Sequence, residues 1–139
     1  MTPEQLSDRL VAFSLTIMAA VREMQSGRIC NTLADQIVRS ATSSSLNYGE
    51  ARSAESKKDF IHKLSVVLKE LRETQNSLKL LCGHGCFPND FPAQKECSEL
   101  IAIFIASINT ARAKNRGSGK LTIKGISKKP FLIFSLVDF

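Results

Sequence analysis

Apolar residues recur every three or four positions through most of this chain, the signature of amphipathic helices. A first helix starts at Thr2-Pro3, a cap residue followed by proline at the favoured first position. Leu6, Leu10, Phe13, Ile17, Val21 and Met24 share one face of it. Val11, Leu15 and Met18 form a second stripe. A helix apolar on two sides is covered on two sides, so one stripe predicts a core face and the other a contact with another subunit. Gly27 is expected to end this helix, and Asn31 or Thr32 to cap the next.

In the second helix Leu33, Ala34, Ile37, Ala41, Ser44 and Tyr48 form the inner face. Small residues at 41 and 44 permit close helix approach. Roughly opposite, Arg39, Ser43, Asn47 and Glu50 lie within an arc of ~80°. Arg39 and Glu50 stand ~16 Å apart along the axis, too far to pair on a straight helix. A structural role is the leading expectation for this polar stripe, because buried polar groups persist when hydrogen-bonded, and a ligand or RNA contact is the alternative. Lys57, Lys58 or Arg72 are the expected partners for Asn47 and Glu50 on the third helix, unless the stripe ties subunits together.

Ser53 or Ser56 starts the third helix, with Asp59 in its first turn offsetting the dipole. Phe60, Ile61, Leu64, Val67, Leu68, Leu71 and Leu78 give the clearest stripe in the chain, and Lys58, His62, Lys69, Arg72 and Glu73 its outer face. A connection rich in helix breakers spans Cys82–Pro92. The fourth helix covers about Ala93–Arg116, with Cys97, Leu100, Ile101, Phe104, Ile105, Ile108 and Ala111 inward, and Gly117-Ser-Gly119 ends it. The pattern therefore predicts an all-α, up-down four-helix bundle over 1–116. A short irregular or strand-like tail follows over 117–139, ending in the apolar run Phe131–Val137.

The formal net charge of +6 changes this picture by its placement. Residues 1–111 hold 12 basic and 12 acidic side chains. Arg112, Lys114, Arg116, Lys120, Lys124, Lys128 and Lys129 face only Asp138 in the remainder. Two readings stand side by side: phosphate contacts to RNA or DNA through this segment, or a solubilising tail. Eight Phe, one Tyr and no Trp offer little base stacking, so any nucleic-acid contact is expected to be electrostatic.

Candidate chemistry is sparse. Two histidines, His62 on an outer face and His84 in the connection, give no acid–base or nucleophile constellation, so no enzyme is expected. Cys82-Gly-His84-Gly-Cys86 carries zinc-type residues, and Cys97, Cys30 or His62 would have to supply a fourth ligand. The spacing reads instead as a glycine-rich turn, so no metal and no cofactor is expected. Gly117-Ser-Gly-Lys120 lacks the phosphate-loop spacing. The four cysteines do not make a disulfide scaffold, the start Met-Thr-Pro-Glu lacks a signal peptide's basic region, and Leu10–Val21 is too short to cross a bilayer. A reduced, cytoplasmic chain with no membrane partner is the expectation.

Three segments carry a family resemblance: Gln36-Ile-Val-Arg-Ser-Ala-Thr-Ser43, Asn47-Tyr-Gly-Glu-Ala-Arg-Ser-Ala-Glu-Ser-Lys-Lys-Asp-Phe-Ile-His-Lys-Leu64 and Leu68-Lys-Glu-Leu-Arg-Glu-Thr74. Their Arg-Ser-x-x-Ser, Asn-x-x-Glu-Ala and Lys-Glu-x-Arg-Glu-Thr elements resemble the bacterial four-helix-bundle proteins also called 23S rRNA intervening-sequence proteins. The likeness covers roughly residues 5–116 and not the tail. It implies an up-down bundle assembled as a homopentameric ring. It also implies kinship with the basic pentameric accessory proteins of diversity-generating retroelements, which bind nucleic acid and a reverse transcriptase. No catalytic activity is established for that family. Ser44 and Ser45 depart from the family pattern, which commonly has an aliphatic residue and a glycine there.

Overall fold

The computed structural model describes residues 1–115. They form four helices, α1 (Pro3–Glu23), α2 (Arg28–Arg52), α3 (Lys57–His84) and α4 (Ala93–Asn115), packed as an up-down bundle. Consecutive helices pair along their lengths, most extensively α2 with α3. The α1–α4 seam is thinner than each contact between consecutive helices. The tail expected over 117–139 lies outside the described residues.

The helix starts obey local chemistry. At α1, Thr2 Oγ1 accepts from Gln5 N at 3.1 Å while Gln5 Oε1 accepts from Thr2 N at 2.9 Å, a reciprocal box that satisfies two otherwise orphaned donors. Ser56, one of the two expected caps of α3, accepts from Asp59 N at 3.0 Å. Gly85 terminates α3 at φ +89°, a left-handed conformation that glycine adopts without a Cβ clash. Cys86 N then donates to Leu81 O at 2.8 Å and closes the helix end. The helix thus continues through Cys82 and His84, which the sequence reading put in the connection.

The α1–α2 boundary also differs from expectation. Helix α1 ends at Glu23, and Gly27 is the residue preceding α2 rather than the stop of α1. Asn31 sits inside the first turn of α2 and reaches back, its Nδ2 donating to Ser26 Oγ at 3.1 Å. Thr32 is likewise internal and donates to Arg28 O at 2.8 Å. A side chain that bonds backward one turn mimics a cap signal without occupying the cap position.

The core follows the predicted stripes. Leu6, Leu10, Phe13 and Ile17 of α1 meet Ile37, Ala41 and Tyr48 of α2, Leu64, Val67, Leu71 and Leu78 of α3, and Leu100, Phe104 and Ile108 of α4. Tyr48 and Phe104 pack edge to face at 5.5 Å between ring centroids. Ile105, expected inward, is 37% exposed, and Ile101 is half-buried. The inward arc of α4 is narrower than its run of apolar residues suggests. The second stripe of α1 is uncovered in this single chain: Val11 is 45% and Leu15 56% exposed, with Met18 half-buried.

A polar layer runs through the α1–α2–α3 contact. Ser40, Ser44 and Thr74 are fully buried. Thr74 Oγ1 donates to Ser40 Oγ at 2.8 Å, and Ser14 Oγ donates across to Ala41 O at 3.0 Å. Each hydroxyl finds a partner, so burial leaves no donor unpaired. These small side chains let the helix backbones approach where larger residues would hold them apart.

Candidate nucleic-acid interface and the polar stripe

The helical ladder of α4 carries Arg112 and Lys114 to its exposed last turn. Basic side chains there complement the negative end of the helix dipole. Arg116, Lys120, Lys124, Lys128 and Lys129 lie outside the described residues. Two of the seven predicted residues therefore fall among the described residues, two positions apart and so on different sides of the helix that leads into the basic segment.

Along α2 the stripe Arg39, Ser43, Asn47 and Glu50 is resolved into separate contacts. The Arg39 guanidinium pairs with Glu73 and lies 3.6 Å from Glu70, both on α3. Glu50 accepts from Lys63 Nζ at 2.5 Å, and this contact raises the lysine pKa. Asn47 Nδ2 donates to Ser43 O at 2.8 Å, within its own helix. The α2–α3 ties thus run to Lys63, Glu70 and Glu73, not to Lys57, Lys58 or Arg72. The axial register of the antiparallel pair brings a different turn of α3 opposite the stripe. Leu46 lies on the same side of α2, between Ser43 and Glu50 at helical spacing, and is 70% exposed.

Two further ion-pair sites were not visible from periodicity. Arg9 of α1 forks onto Glu96 of α4, with Nε at 2.6 Å and Nη2 at 2.9 Å from its two oxygens, and Nη2 also reaches Glu99 at 2.6 Å. The hydrogen bond raises the arginine pKa and lowers that of Glu96. Arg52 at the end of α2 pairs with Glu4 at the start of α1 at 2.7 Å. Four bundle cations, Arg9, Arg39, Arg52 and Lys63, are therefore engaged by carboxylates of the bundle itself.

The cysteines also depart from expectation. Cys30, in the first turn of α2, is disulfide-bonded to Cys86, just past the end of α3. That corrects the expectation of four reduced thiols: the antiparallel α2–α3 pair brings these two positions to one end of the bundle, with Cα atoms 5.7 Å apart. Cys82 and Cys97 are free and buried, and burial raises both thiols, Cys97 to about 12. Among the described residues no group of three or more His, Cys, Asp or Glu side chains is arranged to hold a metal ion. No helix among them is long and apolar enough to cross a membrane.

This architecture matches known proteins. A crystal structure of a protein with unknown function from the S23 ribosomal protein family of Bacteroides thetaiotaomicron VPI-5482 superposes with a TM-score of 0.68 at 29% identity, covering 74% of this chain and 97% of that one. No curated protein matches the chain. The family model for the 23S rRNA-intervening sequence protein matches residues 7–106, a span that holds most of the core and the whole polar stripe. The chain belongs to the 23S rRNA-intervening sequence protein family.

Proposed function

We propose that this protein is a non-enzymatic, cytoplasmic, oligomeric accessory protein that binds RNA or DNA through its basic C-terminal segment. The observation that carries this reading is the partition of charge. The first 111 residues balance 12 basic against 12 acidic side chains, and the segment from Arg112 onward supplies the whole excess. The balance within the bundle is also local, because Arg9, Arg39, Arg52 and Lys63 are already paired. A polyanion approaching the molecule is attracted by Arg112, Lys114, Arg116, Lys120, Lys124, Lys128 and Lys129. Such contacts neutralise phosphates without reading sequence. Assembly into a homo-oligomer, a pentamer by family resemblance, would multiply the segment and turn weak contacts into avid ones.

The test is a salt titration of binding to duplex DNA and structured RNA, comparing the full chain with a full-length variant carrying Gln at all seven positions. Seven phosphate contacts give a slope of log K against log salt of about −6 for duplex DNA. The variant should lose binding and keep its oligomeric mass. Unchanged binding by the variant removes the segment from the function.

A second reading is a protein-interaction scaffold, with a reverse transcriptase or another protein as partner. The exposed apolar stripe of α1, Val11 and Leu15, favours it. It predicts partner capture that salt does not weaken and that the seven-Gln variant retains.

A further inference from the structure

We propose that Cys30 and Cys86 form a reversible thiol–disulfide switch that locks the α3–α4 connection onto the end of the bundle. The inference is independent of the nucleic-acid reading. Two elements that the sequence keeps 56 residues apart are joined at the rim of a cleft of about 920 Å³. Ala20 of α1 and Met24 just past its end line the cleft together with His84, Phe87 and Phe91. The disulfide joins the α3–α4 connection to the start of α2 there.

The chemistry around the two sulfurs differs from that around the other two. Cys30 and Cys86 are half-buried, within reach of small thiols and disulfides, whereas Cys82 and Cys97 are enclosed. Cys30 stands third in α2, whose N-terminus has no side-chain cap and no acidic residue in its first turn, and Arg28 opens the helix. Cys30, unlike Cys86, stands at a helix N-terminus, where the backbone dipole favours an anionic sulfur. On oxidation by a small-molecule disulfide such as glutathione disulfide, the Cys30 thiolate attacks one sulfur, forms a mixed disulfide and expels one thiol. The Cys86 thiolate then displaces the second. Two electrons pass from the cysteine pair to the small disulfide, and the protons of the two cysteines end on two small thiols. Two small thiols run the exchange backward.

Besides the disulfide, the connection is held by Phe87 in the core, by Gln94 Nε2 donating to Asn89 O at 3.0 Å and by Phe91 N donating to Pro88 O at 3.1 Å. Backbone bonds tie Cys86 and Phe87 to Leu81, and Phe87 is buried against Phe91 at 5.2 Å between centroids. The intervening Pro88–Asp90 is exposed. Reduction removes the covalent tie to α2, loosens the connection where it lines the cleft and leaves the α2–α3 core intact.

The experiment equilibrates the full-length protein in glutathione buffers from strongly reducing to strongly oxidising. Acid-quenched alkylation with peptide mapping reads the thiols, and hydrogen exchange reads the backbone. Cys30 and Cys86 should gain alkyl groups together as the buffer becomes reducing, with Cys82 and Cys97 labelled only after denaturation. Protection should be lost over residues 85–92 and the last turn of α1 and nowhere in α2–α3. A double C30S/C86S variant should show the reduced pattern in every buffer. A pair fixed in one redox state throughout, exchange that ignores the redox state, or a double variant that still responds to the buffer overturns the proposal.

Discussion

The ionisation of Glu96 is coupled to the fold. Its carboxylate receives the Arg9 fork, which holds its pKa below the ordinary 4.5. The unfolded chain therefore takes up that proton at higher pH than the folded one. The stabilisation is fully present above the unfolded value and is lost as pH falls through the folded value. Replacing Glu96 by Gln should flatten the acid limb of stability against pH and cost under ~1 kcal/mol near neutrality, because the pair is partly exposed and screened. Thermal melts from pH 3 to pH 7 measure this, and an unchanged acid limb would remove Glu96 from the linkage. Cys97 and Tyr48 work in the opposite direction. Burial pushes both up to about 12, so their contribution persists below their unfolded values and fades as pH rises toward 12.

The elements were legible wherever one rule governed them. Helical periodicity exposed the inner faces of α1 and α3 because each buries a broad apolar stripe, from Leu6 to Ile17 and from Phe60 to Leu81. Gly85, which the breaker-rich run Cys82–Pro92 does not mark out as the stop of α3, has a measurable weight. An alanine there meets no neighbouring atom within 4 Å, so its cost is the left-handed backbone alone, about 1–2 kcal/mol. Denaturant unfolding of Gly85→Ala should show that loss with an unchanged m-value, and a neutral result would mean that α3 can end elsewhere. What periodicity could not fix was the sliding of one helix along another. The α2–α3 register depends on hydroxyl contacts such as Ser40 with Thr74, which have no sequence signature. Hence Lys63 and Glu73, rather than Lys57 or Arg72, meet the stripe. The Cys30–Cys86 bond had a readable clue in helix order, since two antiparallel helices place the start of one beside the end of the next. Cysteine count alone concealed it.

At the scale of the whole molecule, the bundle over 1–111 balances its charges, and apolar residues interrupt its surface. Val11 and Leu15 lie one turn apart on α1 and face away from the core. Under the oligomeric reading this stripe is covered by another copy. A double variant, V11E with L15E, should then sediment as a monomer while its far-ultraviolet circular dichroism stays helical. An assembly of unchanged mass would move the interface to another face. The basic segment was legible in the sequence as a charge excess, but its contacts follow from composition and not from geometry, since only Arg112 and Lys114 fall among the described residues.

The separation of a neutral bundle from a +6 excess also governs how copies meet in solution. Neutral bodies exert little long-range force on one another, so most of the Coulombic repulsion between copies arises from residues 112–139. A bound polyanion would quench that repulsion at its source. Under the proposed function, ligand binding and self-association then become thermodynamically linked. Each phosphate contact lowers the work of bringing a second copy alongside, and each added copy raises the affinity for the next stretch of polyanion. Such a molecule is colloidally stable alone and cohesive in company, with the polyanion acting as the condensing agent.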